Sequence, residues 1–435
     1  MRYGPKNLKV SYTGNTLTHF GGLWLIQRFL RQLRLRRRLQ RTVPFHQRNN
    51  HYSASEMFLA LVYPLILGLG RLESTRLLQH NGVFQYLAGL SAYPNPTSLR
   101  RFLIRMPPKV LGRFRHFHVA LLKEMMSRPK PPRSVILDLD STVLTVYGRL
   151  EGAKKGYNPF KKGRPSYHPL VSFEGITKDY WEGEFRPGNI RTGQRALSLL
   201  ETCFSRIPPT VTSVRIRADV GFFDHKTVEW LDQKKAGYVI VAPITTRIQN
   251  RLPGLRFQRG PGSLATAAFS YQPIGWEKPH RFIAVRKLLS ELSSPQGSLF
   301  TIGSYAYHVY VTNLSLKPVN VWRFYNGRAQ VELIIKELKH DYFLTKIPTR
   351  SFRANEAYFH LLLFAYNLIN WFKRLSLPLE WQNKTLQTLR SRLILIPAEL
   401  VRADNRPVLK LPKTMLQRDL FQTAFKKIQR LRFEK

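Results

Sequence analysis

Asp140, Asp219 and Glu332 are the residues best placed to do chemistry, because this chain is short of acids. It holds 26 Asp and Glu against 70 Lys and Arg, so carboxylates standing apart at strand ends are not readily explained as solvation. Hard divalent cations take oxygen ligands and keep positions open for water and phosphate oxygens. Two Asp and one Glu brought together are therefore the right types for two-metal phosphoryl transfer. Such ions would deprotonate an attacking water or 3′-hydroxyl and stabilise the departing oxygen. Each acid alone could equally be an exposed or helix-capping carboxylate. Their joint placement is what points to a site.

The elements that must position them can be read from periodicity. Ser134 to Leu139 alternates, with Val135, Leu137 and Leu139 on one face and Ile136, Asp138 and Asp140 on the other, which makes Asp138 a rival first ligand. Val214 to Ala218 is a second strand, placing Arg215, Arg217 and Asp219 opposite Val214, Ile216 and Ala218, and Asp224 to Lys235 follows as a helix. Leu170 to Phe173 and Tyr238 to Ala242 are further strands. Strand, strand, helix lets distant acids converge at one edge of a mixed sheet. Tyr325 to Lys339 reads as a helix: at about 100° per residue, Tyr325, Arg328, Glu332, Lys336 and Lys339 share a stripe roughly 80° wide. Phe324, Val331, Ile334, Ile335 and Leu338 form the apolar stripe beside it. An i, i+4 Arg/Glu pair on an amphipathic helix is commonplace, so this run gains meaning only beside the two strand-end acids.

A net charge of +44 implies a polyanionic partner. Nucleic acid suits it better than an anionic membrane, which usually recruits one basic amphipathic helix, whereas here Lys and Arg run from Arg2 to Lys435. A ribosome-associated structural protein is the bland alternative. With 43% hydrophobic and 12% aromatic residues, global disorder is excluded. The single cysteine, Cys203, rules out an internal disulfide and a Cys-cluster zinc site. The longest apolar run, Met57 to Gly70, contains Pro64 and is too short to span a bilayer. With no stretch resembling a signal peptide, the expectation is a soluble cytoplasmic protein without membrane contact.

Residues 1–130 read as an all-α, basic DNA-binding domain. Leu23 to Gln40 combines Leu25, Ile26, Phe29, Leu30, Leu33, Leu35 and Leu39 with six arginines and could lie along a phosphate backbone. Ser55 precedes an apolar helix, and Asn95-Pro96-Thr97 opens a basic one carrying Arg100, Arg101 and Arg105. This is compatible with a helix-turn-helix reader or with a bundle whose arginines are merely solvated. Pro129 to Pro132 is a natural boundary. Residues 131–243 and 317–375 then form the catalytic domain. Within it, the loop from Gly156 to Pro165 is rich in Gly, Lys and aromatics and suits backbone approach to phosphates. Residues 244–316 are a β-rich insertion punctuated by Arg259-Gly260-Pro261-Gly262 and Ser293-Ser294-Pro295-Gln296-Gly297, and 376–435 a basic C-terminal region.

Asp140-Ser141-Thr142, Asp219 within Arg-Ala-Asp-Val-Gly-Phe, and Tyr325-x2-Arg328-x3-Glu332-x6-Lys339 resemble the three blocks of the DDE transposases of bacterial insertion sequences, in the subgroup with a Tyr-Arg-Glu-Lys signature. The likeness runs over roughly Val135 to Arg374, taking in Tyr157-Asn158-Pro159, Gly163-Arg164-Pro165-Ser166-Tyr167 and Ala365-Tyr366-Asn367-Leu368. Val220 departs from it, standing where many relatives carry a small polar residue. The resemblance implies an α/β fold: a ribonuclease-H-like mixed sheet with flanking helices, interrupted by a β-rich insertion. It also implies Mg2+-dependent hydrolysis at transposon ends, with Mn2+ as an alternative ion, then attack of the freed 3′-hydroxyls on target DNA by a homodimer. Carried over by position, Asp140, Asp219 and Glu332 would be the catalytic metal ligands, Asp140 being preferred to Asp138 because it occupies the motif position. Tyr325, Arg328 and Lys339 would hold DNA phosphates, Trp276 could stack on a flipped base, and Lys336 falls outside the signature.

Overall fold

The strand β1 (Ser134–Ser141) follows from its alternation. Val135, Leu137 and Leu139 are buried, and Asp138 and Asp140 are buried as well, so this is a central strand covered on both faces. The structure is a computed structural model describing residues 8, 10–12, 14, 16–45, 51–128, 130–291 and 300–433. Pro129 of the expected boundary and the Ser293 to Gly297 turn lie outside the described residues.

Nine further strands follow: β2 (Leu170–Glu174), β3 (Tyr180–Glu184), β4 (Ser213–Ala218), β5 (Gly237–Val241), β6 (Gln258–Arg259), β7 (Ala265–Tyr271), β8 (His280–Leu288), β9 (Phe300–Ile302) and β10 (Tyr305–Thr312). Among the described residues they form one mixed sheet in the order β6-β7-β8-β10-β5-β4-β1-β2-β3, with β9 beside β10. β1, β4 and β5 run parallel, and the remaining pairings are antiparallel. The segment expected to be a β-rich insertion continues the same sheet: β10 pairs with β5 through Tyr310↔Val241, Val311↔Ile240 and Thr312↔Val239. Helices Ala196–Ser205 and His225–Gln233 join the strands, the second capped by Asp224, whose Oδ2 accepts from the Thr227 N–H at 3.1 Å. Asn367, on the long helix Phe352–Ser376, fixes the edge strand β3 by bonding both the N–H and the carbonyl of Tyr180, at 2.7 and 2.9 Å.

The chain divides into two compact units, Arg115–His340 with Thr349–Asn367, and Met1–Phe114 with Asp341–Pro348 and Leu368–Lys435. The first contains the large sheet. In the second, the expected all-α character does not hold throughout, since Leu17–Thr18 forms a strand that pairs with Ala398–Ala403, itself paired with Arg406–Lys410. Two residues are too few to leave an alternation signal. The Leu23 to Gln40 run breaks into helices Leu23–Gln32 and Leu35–Thr42 at Arg34, which is left-handed with φ 51°. The apolar helix Ala54–Leu67 starts on a Ser53–Glu56 capping box and stops at Gly68, φ 92°. Among the described residues no single helix is long and apolar enough to cross a membrane.

Candidate active site

Register brings the first two acids together. The last pair between the parallel strands β1 and β4 is Leu139↔Ala218, so Asp140 and Asp219 are the next residues along each, emerging side by side at the strands' C-terminal ends. Each is fixed locally. The Ser141 N–H donates to Asp140 Oδ1 at 2.7 Å, and the Gly221 N–H donates to Asp219 Oδ1 at 3.0 Å in a short 3₁₀ turn, Val220–Phe222.

The run from Tyr325 to Lys339, expected as one helix, is two: Pro318–Asn326 and Ala329–His340. The break is imposed by Arg217 on β4, whose Nη1 donates to the Phe324 carbonyl at 2.9 Å, and a Cβ added to Gly327 would stand 2.0 Å from that nitrogen. Only glycine admits so close an approach. Just past the break, Arg328 turns inward and is 5% exposed. Its guanidinium donates to the Leu139 carbonyl at 3.3 Å from Nε and 3.1 Å from Nη2. It lies 3.1 Å from Asp140 Oδ2, 3.7 Å from Asp219 Oδ2 and 3.9 Å from Glu332 Oε1. One cation thus faces three carboxylates. Asp140 is buried, whereas the Asp219 side chain is 34% exposed and that of Glu332 71% exposed, so the cluster opens to solvent on the helix side.

The electrostatics follow. Burial, reinforced by Asp219 and Glu332 and opposed by Arg328, pushes the Asp140 carboxyl up to about 6. Burial also raises Asp219, again against Arg328. Burial would lower the Arg328 guanidinium, but Asp140, Tyr325, Asp219 and Glu332 overcome it and hold the charge. Tyr325 packs against Tyr310 with ring centroids 4.7 Å apart, and burial with the neighbouring acids pushes its hydroxyl up to about 12. Burial lowers the Lys339 ammonium while Asp140 pulls it back, and its Nζ lies 5.2 Å from the centre of the exposed Phe160 ring.

Asp140, Asp219, Glu332, Tyr325, Arg328 and Lys339 therefore share one neighbourhood. Arg328, expected to hold a DNA phosphate near the cut, faces the carboxylates. Asp138 is turned elsewhere: fully buried, it takes a two-point ion pair from Arg217, Nε to Oδ1 at 2.5 Å and Nη2 to Oδ2 at 2.7 Å. Trp276 is 8% exposed and stacked on Phe223 at 5.1 Å, packed rather than presented. Lys336 is exposed. Sequence reasoning missed His168. Its Nδ1 lies 2.9 Å from the Ile190 carbonyl and so carries the proton, leaving Nε2, 3.0 Å from Ser141 Oγ, to accept from the serine. Ser141 Oγ also lies 3.2 Å from Thr192 Oγ1. A lone histidine beside Tyr167 gave no spacing signal; only the fold brings it under Ser141.

Among the described residues, no three His, Cys, Asp or Glu side chains are already gathered at metal-holding spacing. The donor set nonetheless fits a hard divalent ion. All three groups are carboxylates, and they converge on one centre of positive charge.

The family described as Transposase DDE domain group 1 matches residues 2–433, and the chain belongs to it. A comparison with curated proteins finds no match. Among solved structures the chain is similar to one described as a cryo-EM structure of the piggyBac transposase synaptic complex with hairpin DNA. Identity is 13%, 86% of this chain and 85% of that chain are covered, and the TM-score is 0.41.

Proposed function

We propose that this protein is a DNA transposase of the Tyr-Arg-Glu-Lys subgroup found in bacterial insertion sequences, cleaving at transposon ends and joining the freed 3′-hydroxyls to target DNA as a homodimer. The observation that carries the reading is the convergence of Asp140, Asp219 and Glu332 on one guanidinium. The strand order β3-β2-β1-β4-β5, an antiparallel meander followed by two strands parallel to β1, supports a ribonuclease-H-like catalytic core. A charge of +44 suits a DNA partner.

In this reading Asp140, Asp219 and Glu332 hold divalent ions, Mg2+ with Mn2+ as an alternative. The chemistry supplied there is activation of water or a 3′-hydroxyl and neutralisation of the departing oxygen. Asp138 is a structural partner of Arg217 rather than a ligand. Lys339 and Tyr325, flanking the acids, position the phosphate bearing the scissile bond, Lys339 by its charge and Tyr325 by a hydroxyl that stays protonated and can donate.

The test is cleavage of labelled transposon-end duplex by purified protein with Mg2+. Glu332→Gln keeps the side chain's size and removes its charge, and the expected loss is on the order of a thousandfold, several kcal/mol of transition-state stabilisation. Cleavage that survives the change would sink the ligand assignment. Strand-transfer products from pre-cleaved ends separate a transposase from a nuclease, and a wild type that binds ends without ever cutting them would favour a catalytically idle DNA-binding protein.

A further inference from the structure

We infer that Arg328 is a built-in counter-cation: it holds the three carboxylates together when no divalent ion is bound and must leave them for ions to enter. This rests on the metal-site reading above and adds a coupling to it. Arg328 is 5% exposed, and its Nη2 lies 3.1 Å from Asp140 and 3.7 Å from Asp219. Nη1 approaches Glu332 only to 3.9 Å. A guanidinium and a divalent ion cannot share that space, because two positive centres between the same carboxylates repel at low dielectric. Its fixed anchors are weak: one main-chain carbonyl, Leu139, serves both Nε and Nη2. The residue also sits on the joint between Pro318–Asn326 and Ala329–His340, so its side chain can swing without unwinding either helix.

Where it would go follows from its chemistry. The planar guanidinium fork matches a phosphate in two-point fashion, and the cluster opens to solvent through Glu332. A DNA phosphate arriving there draws Arg328 outward as divalent ions take its place. Each event favours the same outward position, so each strengthens the other by the same factor.

Calorimetric titration of the full chain with Mn2+, without DNA, tests this without relying on turnover. Arg328→Met is expected to bind Mn2+ about tenfold more tightly than wild type, while Lys336→Ala, an exposed change on the helix that follows the joint, should match wild type. Arg328→Lys, which keeps the charge but loses the fork, is the second variant should Arg328→Met not fold, and should fall between the two. A short duplex added to wild type should tighten Mn2+ binding several-fold, with a smaller gain in either Arg328 variant. Equal or weaker Mn2+ binding by the Arg328 variants, or an identical DNA effect in all proteins, overturns the counter-cation role while the metal site stands. If neither wild type nor any variant binds Mn2+, with or without DNA, the metal-site reading falls with it.

Discussion

Two acid–guanidinium arrangements lie two residues apart on one face of β1, and they are built to opposite ends. Asp138 and Arg217 are matched one to one, two hydrogen bonds at 2.5 and 2.7 Å, with the acid wholly buried. Asp140 shares Arg328 with Asp219 and Glu332 at 3.1 to 3.9 Å, leaving acid in excess of base. A closed pair holds an element in place. An open, acid-rich cluster retains affinity for added positive charge. Arg217 shows what the closed pair does: its remaining nitrogen grips the Phe324 carbonyl and ends the helix there, and that break aims Arg328 and Glu332 at the open cluster.

The largest effect on stability should come from breaking the closed pair. Arg217→Met leaves Asp138 charged and buried without its partner and frees the Phe324 carbonyl, and the expected loss is about 3–5 kcal/mol. Chemical denaturation would read it. A loss under about 1 kcal/mol, within the range of an exposed ion pair, would mean that the two arrangements do not differ as their geometry suggests.

The open cluster should show itself through pH. Asp140 titrates at about 6 in the folded chain, against about 3.9 unfolded. The native state therefore binds this proton more tightly, so its contribution lowers stability as pH rises from about 4 through about 6, and the penalty is complete above that. Asp140→Asn removes the titration. Unfolding free energy of the variant relative to wild type should grow in its favour by about 2–3 kcal/mol between pH 4 and pH 7. Parallel curves would place the acid-rich strain elsewhere.

Much of this was legible in the sequence, for reasons that can be named. β1 and β4 alternate cleanly, and their ends put Asp140 and Asp219 at the same level once the strands pair in parallel. Glu332 carried a recognisable spacing to Tyr325, Arg328 and Lys339. The helix break was not legible, because its cause, Arg217, lies 107 residues before the carbonyl it grips. Periodicity sees neighbours along the chain, and this interruption comes from across the sheet. Periodicity alone did not separate Asp138 from Asp140, which share a strand face; the motif position favoured Asp140, and the pairing of Asp138 opposite Arg217 could not be seen along the chain. Nor could alternation show that the segment between Asp219 and Glu332 would extend the existing sheet through β10 rather than fold apart.

The smallest expected effect sharpens the boundary of the open cluster. His168 accepts from Ser141 Oγ and donates to the Ile190 carbonyl, and Ser141 is the residue whose N–H bonds Asp140. His168→Phe keeps a flat ring and removes both hydrogen bonds, so stability should fall by about 1–2 kcal/mol. If the histidine serves the site by holding Ser141, end cleavage should also fall about tenfold, as for the outer partners of metal ligands. Ser141→Ala should then give a similar loss, and the double variant should be little worse than either single one, because both remove the same contact. Additive losses would make His168 a core residue that merely borders the site, and would confine the acid-rich cluster to Asp140, Asp219, Glu332 and the guanidinium they share.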